Sequence, residues 1–186
     1  MKEPSISEIK RESKKNSKPD FFLKYIPKYY FKKYKTWLDC ASGDGYMFAD
    51  FWIDKYISPK RYICIDKNEK LLKRLEEKEC VIHCVDLETT DIKTLLKKES
   101  IDMIVSLETF EHLNEKTANS LMESFIFILR ENGMICLTFP IAVDLNNDIN
   151  KHQPNINLYI EYKKYFKSFK HYEWKKSHVL FFNEKI

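Results

Sequence analysis

Trp37-Leu-Asp-Cys-Ala-Ser-Gly-Asp-Gly-Tyr46 (WLDCASGDGY) runs a short apolar stretch into a carboxylate and then into a cramped loop of small residues. Two of the chain's 3 glycines, Gly43 and Gly45, stand in that loop, which implies a ligand coming close to the backbone. A dinucleotide-binding GxGxxG loop needs a third glycine where helix and strand touch. Counted from Gly43 and Gly45, that place falls on Phe48, which is far too large. Asp39, just before the turn, would also oppose a pyrophosphate at a helix N-terminus. A ligand with a positive amine and a sulfonium suits this loop better.

Outward from the loop the chain alternates regularly. Strand-like runs cover 36–40, 61–65, 80–85, 101–107 and 134–139, and helix-like stretches cover 47–57, 69–78, 92–98 and 117–130. In the last helix Leu121, Phe125, Ile128 and Leu129 recur at helical spacing, and Asn132-Gly133 reads as its stop. The strands are apolar with little alternation, as expected when both faces are covered. Residues 159–168 read as a final helix, and 169–174 with 178–182 as an antiparallel strand pair. The expected fold is α/β: a doubly wound, Rossmann-like, seven-stranded and mostly parallel sheet with an antiparallel C-terminal strand pair.

In such a sheet, ligands bind outside the carboxyl ends of the strands. The second strand ends in Asp66, placed to accept from both ribose hydroxyls or, equally well, to cap the helix that follows. The third ends at Val85-Asp86-Leu87, where Asp86 can reach an adenine amino group. The fourth, Ile101-Asp-Met-Ile-Val-Ser-Leu107, runs into Glu108-Thr-Phe-Glu-His112. With LDCASGDGY, YICID, CVDLE, DMIVSLETFEHL and NGMICLTFP, residues 36 to 170 resemble a class I S-adenosylmethionine-dependent methyltransferase. The branch resembled is the one with a Glu-Thr-x-Glu-His motif after the fourth strand.

The resemblance implies a site for S-adenosylmethionine. Asp39, Ala41, Ser42, Gly43 and Gly45 would wrap its methionine end, with Ala41 where the family often has glycine. Asp66 would hold the ribose, Asp86 and Leu87 would bracket adenine, and Lys67 and Leu107 would also belong to the cofactor site. Glu108, Glu111 and His112 lie within one helical turn and could converge near the methyl donor. One reading makes His112 a general base, with Glu111 beside it. Another makes Glu108, Glu111, His112 and the distant His152 ligands of a divalent metal. A third leaves Glu111 and His112 as a local helix cap. The segment 151–159 (KHQPNINLY) resembles the histidine-containing loop that covers the acceptor in this branch.

Composition sets the remaining bounds. The 186 residues, 44% apolar and 32% charged, fit one soluble domain, and the net charge of +4 is modest for a nucleic-acid binder. No apolar run reaches the roughly 18 residues of a membrane span, and the start of the chain lacks a signal-peptide core. The 5 cysteines, without a Cys-x-x-Cys, read as reduced residues of buried strands in a cytoplasmic protein. Residues 1–18 are expected to be a mobile basic tail, 19–35 a helical flap, and 36–186 the methyltransferase domain. The expected reaction is O-methylation of a small hydroxylated or glycan-type acceptor. The basic, aromatic segment 21–35 (FFLKYIPKYYFKKYK) raises a metal-dependent RNA ribose 2'-O-methyltransferase as the alternative. A non-catalytic cofactor-binding partner subunit is a further alternative.

Overall fold

The structure is a computed structural model and describes residues 33–45, 61–140, 159–174 and 177–186. Seven strands form one sheet in the order β3-β2-β1-β4-β5-β7-β6. They are β1 (Trp37–Cys40), β2 (Tyr62–Asp66), β3 (Val81–Cys84), β4 (Ile101–Leu107), β5 (Leu129–Pro140), β6 (Phe166–Trp174) and β7 (Ser177–Lys185). β1 pairs in parallel with β2 and with β4, β2 with β3 and β4 with β5, while β7 runs antiparallel to both β5 and β6. The expected sheet and its antiparallel C-terminal pair are therefore present. Strand order reverses at β1 and β4, so a crevice opens above their carboxyl ends.

Alternation along β1 sets the two halves of the core. Trp37 joins Tyr62, Cys64, Met103 and Cys136 on one face, and Leu38 and Cys40 join Ile65, Ile104, Ile135 and Phe139 on the other. Helix α1 (Glu69–Glu76) starts at Asn68, whose side chain accepts from the Lys70 N–H, and it buries Leu72 and Leu75. Helix α2 (Glu115–Ile128) starts at Asn114, whose Oδ1 accepts from the Thr117 N–H at 3.0 Å. It buries Ala118, Leu121, Met122, Phe125 and Ile128, an apolar stripe at helical spacing.

Several expected boundaries move. The helix expected over 117–130 stops at Ile128, and β5 begins at the next residue, so Asn132-Gly133 lies inside a strand. Gly133 serves close approach there: a Cβ would meet Leu129 Cγ at 2.7 Å and the Arg130 carbonyl at 2.9 Å. The register between β4 and β5 shifts over the same stretch. Of the helix expected over 92–98 only a 3₁₀ turn, Ile92–Thr94, forms. Of the final helix expected over 159–168, Tyr159 and Ile160 are α-helical and Glu161–Tyr165 is a 3₁₀ turn, and β6 starts directly after it. Covered faces fail at the edge strand β3, where Val81 is 38% exposed. Cys84 on β3 is exposed as well; the other four cysteines are buried, and all five are free thiols. No helix among the described residues is long and apolar enough to cross a membrane. The expected tail, most of the flap, the helix over 47–57, Phe48, His152 and the loop 141–158 lie outside the described residues.

Candidate active site

The glycine loop turns where β1 ends. Ala41, Gly43 and Gly45 all take positive φ, 62°, 56° and 70°. A Cβ on Gly43 would meet nothing within 4 Å, so glycine stands there for its left-handed backbone and leaves open space for a ligand. Neighbouring elements hold the loop. The Ser42 N–H donates to the Ile65 carbonyl at 3.0 Å, and the Gly45 N–H to the Ser42 carbonyl at 3.0 Å. Arg74 of α1 donates to the Asp44 carbonyl at 3.2 Å and lies 3.5 Å from its carboxylate.

Asp66 closes the turn. Its Oδ2 accepts the Gly43 N–H at 2.9 Å and its Oδ1 accepts the Asn68 N–H at 2.8 Å. The helix cap itself belongs to Asn68, so Asp66 spans the glycine loop and the start of α1. Each carboxylate oxygen keeps a further lone pair for a ligand hydroxyl. At the next strand end, the Asp86 Oδ1 accepts the Glu88 N–H at 3.0 Å, and Lys67 Nζ stands 4.0 Å from the Asp86 Oδ2.

These strand ends enclose a cleft of about 470 Å³ lined by Ala41, Gly43, Asp66, Lys67, Asp86 and Leu87, together with Glu108 and His112. Ligand pockets commonly fall in the range of about 300–1,000 Å³. Four carboxylates (Asp66, Asp86, Glu88, Glu108) face one lysine and one histidine, a balance that favours a cationic ligand over a phosphate. Val85, Glu88, Thr109 and Leu113 also line it and were not picked out from sequence. Val85 and Leu113 carry no chemical signal beyond being apolar neighbours of the strand-end acids.

Asp39, Ser42, Gly45 and Leu107, expected on the cofactor, do not line this cleft. Leu107 packs against the core face that holds Trp37. Asp39 is 3% exposed, and its Oδ2 accepts the Tyr62 hydroxyl at 2.8 Å. Burial pushes its carboxyl up from 3.8 to about 7, against the lowering effect of the Tyr62 bond and with a further rise from nearby Asp66. The folded chain thus holds this proton more tightly than the unfolded chain. Stability from Asp39 is full below about 3.8 and is lost as pH rises to about 7. Asp39→Asn keeps an acceptor for Tyr62 but cannot ionise. Its urea midpoint should fall less between those two pH values than the wild-type midpoint does; parallel curves would refute this assignment.

After β4 the chain does not form the expected α-helical turn. Glu108 has φ 53°, and Phe110–His112 is a 3₁₀ turn. A 3₁₀ turn sends successive side chains about a third of a turn apart. His112 accordingly reaches the cleft, with its side chain 62% exposed, while the Glu111 side chain is 10% exposed and off the cleft. The two remain 4.0 Å apart, His112 Nε2 to Glu111 Oε1. Among the described residues no group of three or more His, Cys, Asp or Glu side chains could hold a metal ion. Glu108, Glu111 and His112 therefore do not form the expected ligand set, and His152 lies outside the described residues.

Comparison with known proteins decides the family. Residues 38–137, just over half of the chain, match the family described as Methyltransferase domain. The chain belongs to this family. It is an S-adenosylmethionine-dependent methyltransferase of class I. No curated protein matches it. Among solved structures, a SAM dependent methyltransferase from Archaeoglobus fulgidus superposes with a TM-score of 0.70 at 15% identity, over 95% of this chain and 99% of that one. The PH0226 protein from Pyrococcus horikoshii gives 0.67 at 14% identity, over 94% and 91%. An O-methyltransferase family protein from Burkholderia thailandensis gives 0.67 at 9% identity, over 96% of this chain and 59% of that one. At these identities the likeness concerns the fold. The methyltransferase's own residues fit the cofactor: an open glycine turn, Asp66 with spare acceptor capacity and an acidic cleft of suitable size.

Proposed function

We propose that the methyltransferase transfers the methyl group to a hydroxyl of a small hydroxylated or glycan-type acceptor. The supporting observation is His112, an exposed imidazole on the wall of the same cleft as Asp66 and the glycine turn, with the Glu111 carboxylate 4.0 Å from its Nε2. Bound S-adenosylmethionine supplies an electrophilic methyl on a sulfonium sulfur. The chain's work is then to orient and to move one proton. Asp66 takes the ribose hydroxyls while its bonds to Gly43 and Asn68 keep the loop shut, and Asp86 with Leu87 holds the adenine. His112 accepts the proton of the attacking hydroxyl, and Glu111 stabilises the imidazolium that results. A hydroxyl acceptor is the case in which such a base matters, because a neutral alcohol is a weak nucleophile.

No three-ligand metal set supports the RNA alternative among the described residues. The test is methyl transfer to a panel of monosaccharides, nucleotide sugars and catechols, followed by mass spectrometry. The expected result is a methylated hydroxyl, with kcat reduced roughly 100-fold in His112→Ala. Transfer to RNA alone, abolished by chelation, would contradict this reading, as would full activity in His112→Ala.

A further inference from the structure

Two of the described residues on the cleft carry side chains yet hold left-handed backbone: Ala41 after β1 and Glu108 after β4, with φ of 62° and 53°. They follow the two neighbouring strands at which strand order reverses. The Ser106 hydroxyl of β4 donates to the Cys40 carbonyl of β1 at 3.1 Å and ties these two strand ends together. For a residue with a long side chain the left-handed region is unfavourable, and it persists only where surrounding structure enforces it. The enforcing group here is Thr138 on β5. The Glu108 N–H donates to both the Thr138 carbonyl and the Thr138 Oγ1, each at 3.1 Å, and Thr138 is 3% exposed. A buried residue with no place in the cleft thus fixes the conformation of one that lines it.

Position suggests what the fixed carboxylate does. Asp66 stands after β2, the glycine turn after β1 and Glu108 after β4, three neighbouring strand ends in order. If the ribose lies on Asp66 and the methionine end on the glycine turn, the sulfur lies on the Glu108 side of the cleft. The methyl donor carries a positive sulfonium there. The product, S-adenosylhomocysteine, has a neutral thioether at the same place. A carboxylate held at that wall binds the two unequally by simple charge attraction.

We propose that Glu108, positioned by Thr138, is the residue that makes the cleft prefer the sulfonium donor over the neutral product. This rests on the cleft being the cofactor site. The proposal accounts for why strain is kept at Glu108: a relaxed backbone would swing the carboxylate away from the sulfur. Methyl transfer then removes the attraction itself, since the charge leaves the sulfur with the methyl, and the product is released more readily.

Calorimetry on the full chain with S-adenosylmethionine and with S-adenosylhomocysteine tests it without any acceptor. Glu108→Gln should weaken donor binding roughly fivefold, the scale of a partly solvated charge pair, and leave product binding unchanged. Glu108→Asn, whose side chain tolerates the left-handed region, should lose the same preference without a lower melting temperature, which separates charge from folding. Thr138→Val should reduce the donor-to-product ratio, and Thr138→Ser, which keeps the hydroxyl, should restore it. A ratio unchanged in Glu108→Gln and Glu108→Asn, while wild type binds both ligands, overturns this proposal and leaves the cofactor site standing. Wild type that binds neither ligand overturns the site and the proposal together.

Discussion

Replacing Asp66 with alanine is expected to weaken S-adenosylmethionine binding at least 100-fold or so, the largest effect of any single change to the cleft. The side chain has a double task. Its two oxygens hold the Gly43 N–H at 2.9 Å and the Asn68 N–H at 2.8 Å, so it fixes the glycine turn against the start of α1. In the proposed site it would also accept the ribose hydroxyls. Hydrogen bonds to a charged group contribute about 1.5–3 kcal/mol each, so losing two ribose contacts reaches the roughly 2.7 kcal/mol of a 100-fold change, and the glycine turn loses its anchor as well. Asp66→Asn should fall between, since one amide oxygen can still accept from Gly43 while the NH₂ meets the Asn68 N–H. The effect is read by calorimetry, with a thermal melt as the control for folding. Unchanged affinity in Asp66→Ala would remove the carboxylate from the cofactor site.

The second large effect is on stability. Phe110 is 1% exposed and sits at the start of the 3₁₀ turn that ends in His112. Its ring meets Phe125 of α2 at 6.0 Å, Phe139 of β5 at 5.9 Å and Tyr159 at 5.2 Å, all edge-on, and Phe139 stacks on Tyr159 at 5.0 Å. Phe110→Ala leaves a hole where three elements meet, and a Phe→Ala change of this kind costs about 3–5 kcal/mol. That is a large part of the roughly 5–15 kcal/mol that a domain has in total. Denaturant unfolding should show an unfolding free energy lowered by that amount. Activity should fall further than the unfolded fraction explains, because His112 loses its platform. A loss under about 1 kcal/mol would mean that the ring is not the support described.

The sheet was legible because its signal is simple. Short apolar runs ending in an acid or a glycine turn, separated by helical stretches, leave few topologies open. The boundaries that moved did so for local reasons. Leu129 continues the helical spacing of Leu121, Phe125 and Ile128, so pattern alone could not show that β5 starts there. Gly133 was read as a stop, but its role is to let the backbone pass close to Leu129 and Arg130.

The cleft was legible in part. Asp66, Asp86 and Gly43, read as strand-end residues, all line the cleft. Asp39 was misplaced because it stands next to the glycine loop in sequence. Side-chain alternation turns it into the core, onto Tyr62, the residue opposite Trp37 in the β1–β2 register. Glu108 and Glu111 were expected to converge on helical spacing. The left-handed Glu108 and the 3₁₀ turn, neither visible in the residue types, send them to different places. Thr138 carried no signal at all, because its role depends on a hydrogen bond across 30 residues of sequence.

One measurement tests the central claim most directly: a crystal structure with S-adenosylhomocysteine bound. The account predicts ribose hydroxyls on the Asp66 carboxylate, adenine between Asp86 and Leu87, and the sulfur above the β1–β4 junction with Glu108 and His112 facing it. A ligand bound elsewhere, or in this cleft with its ribose away from Asp66, would contradict it.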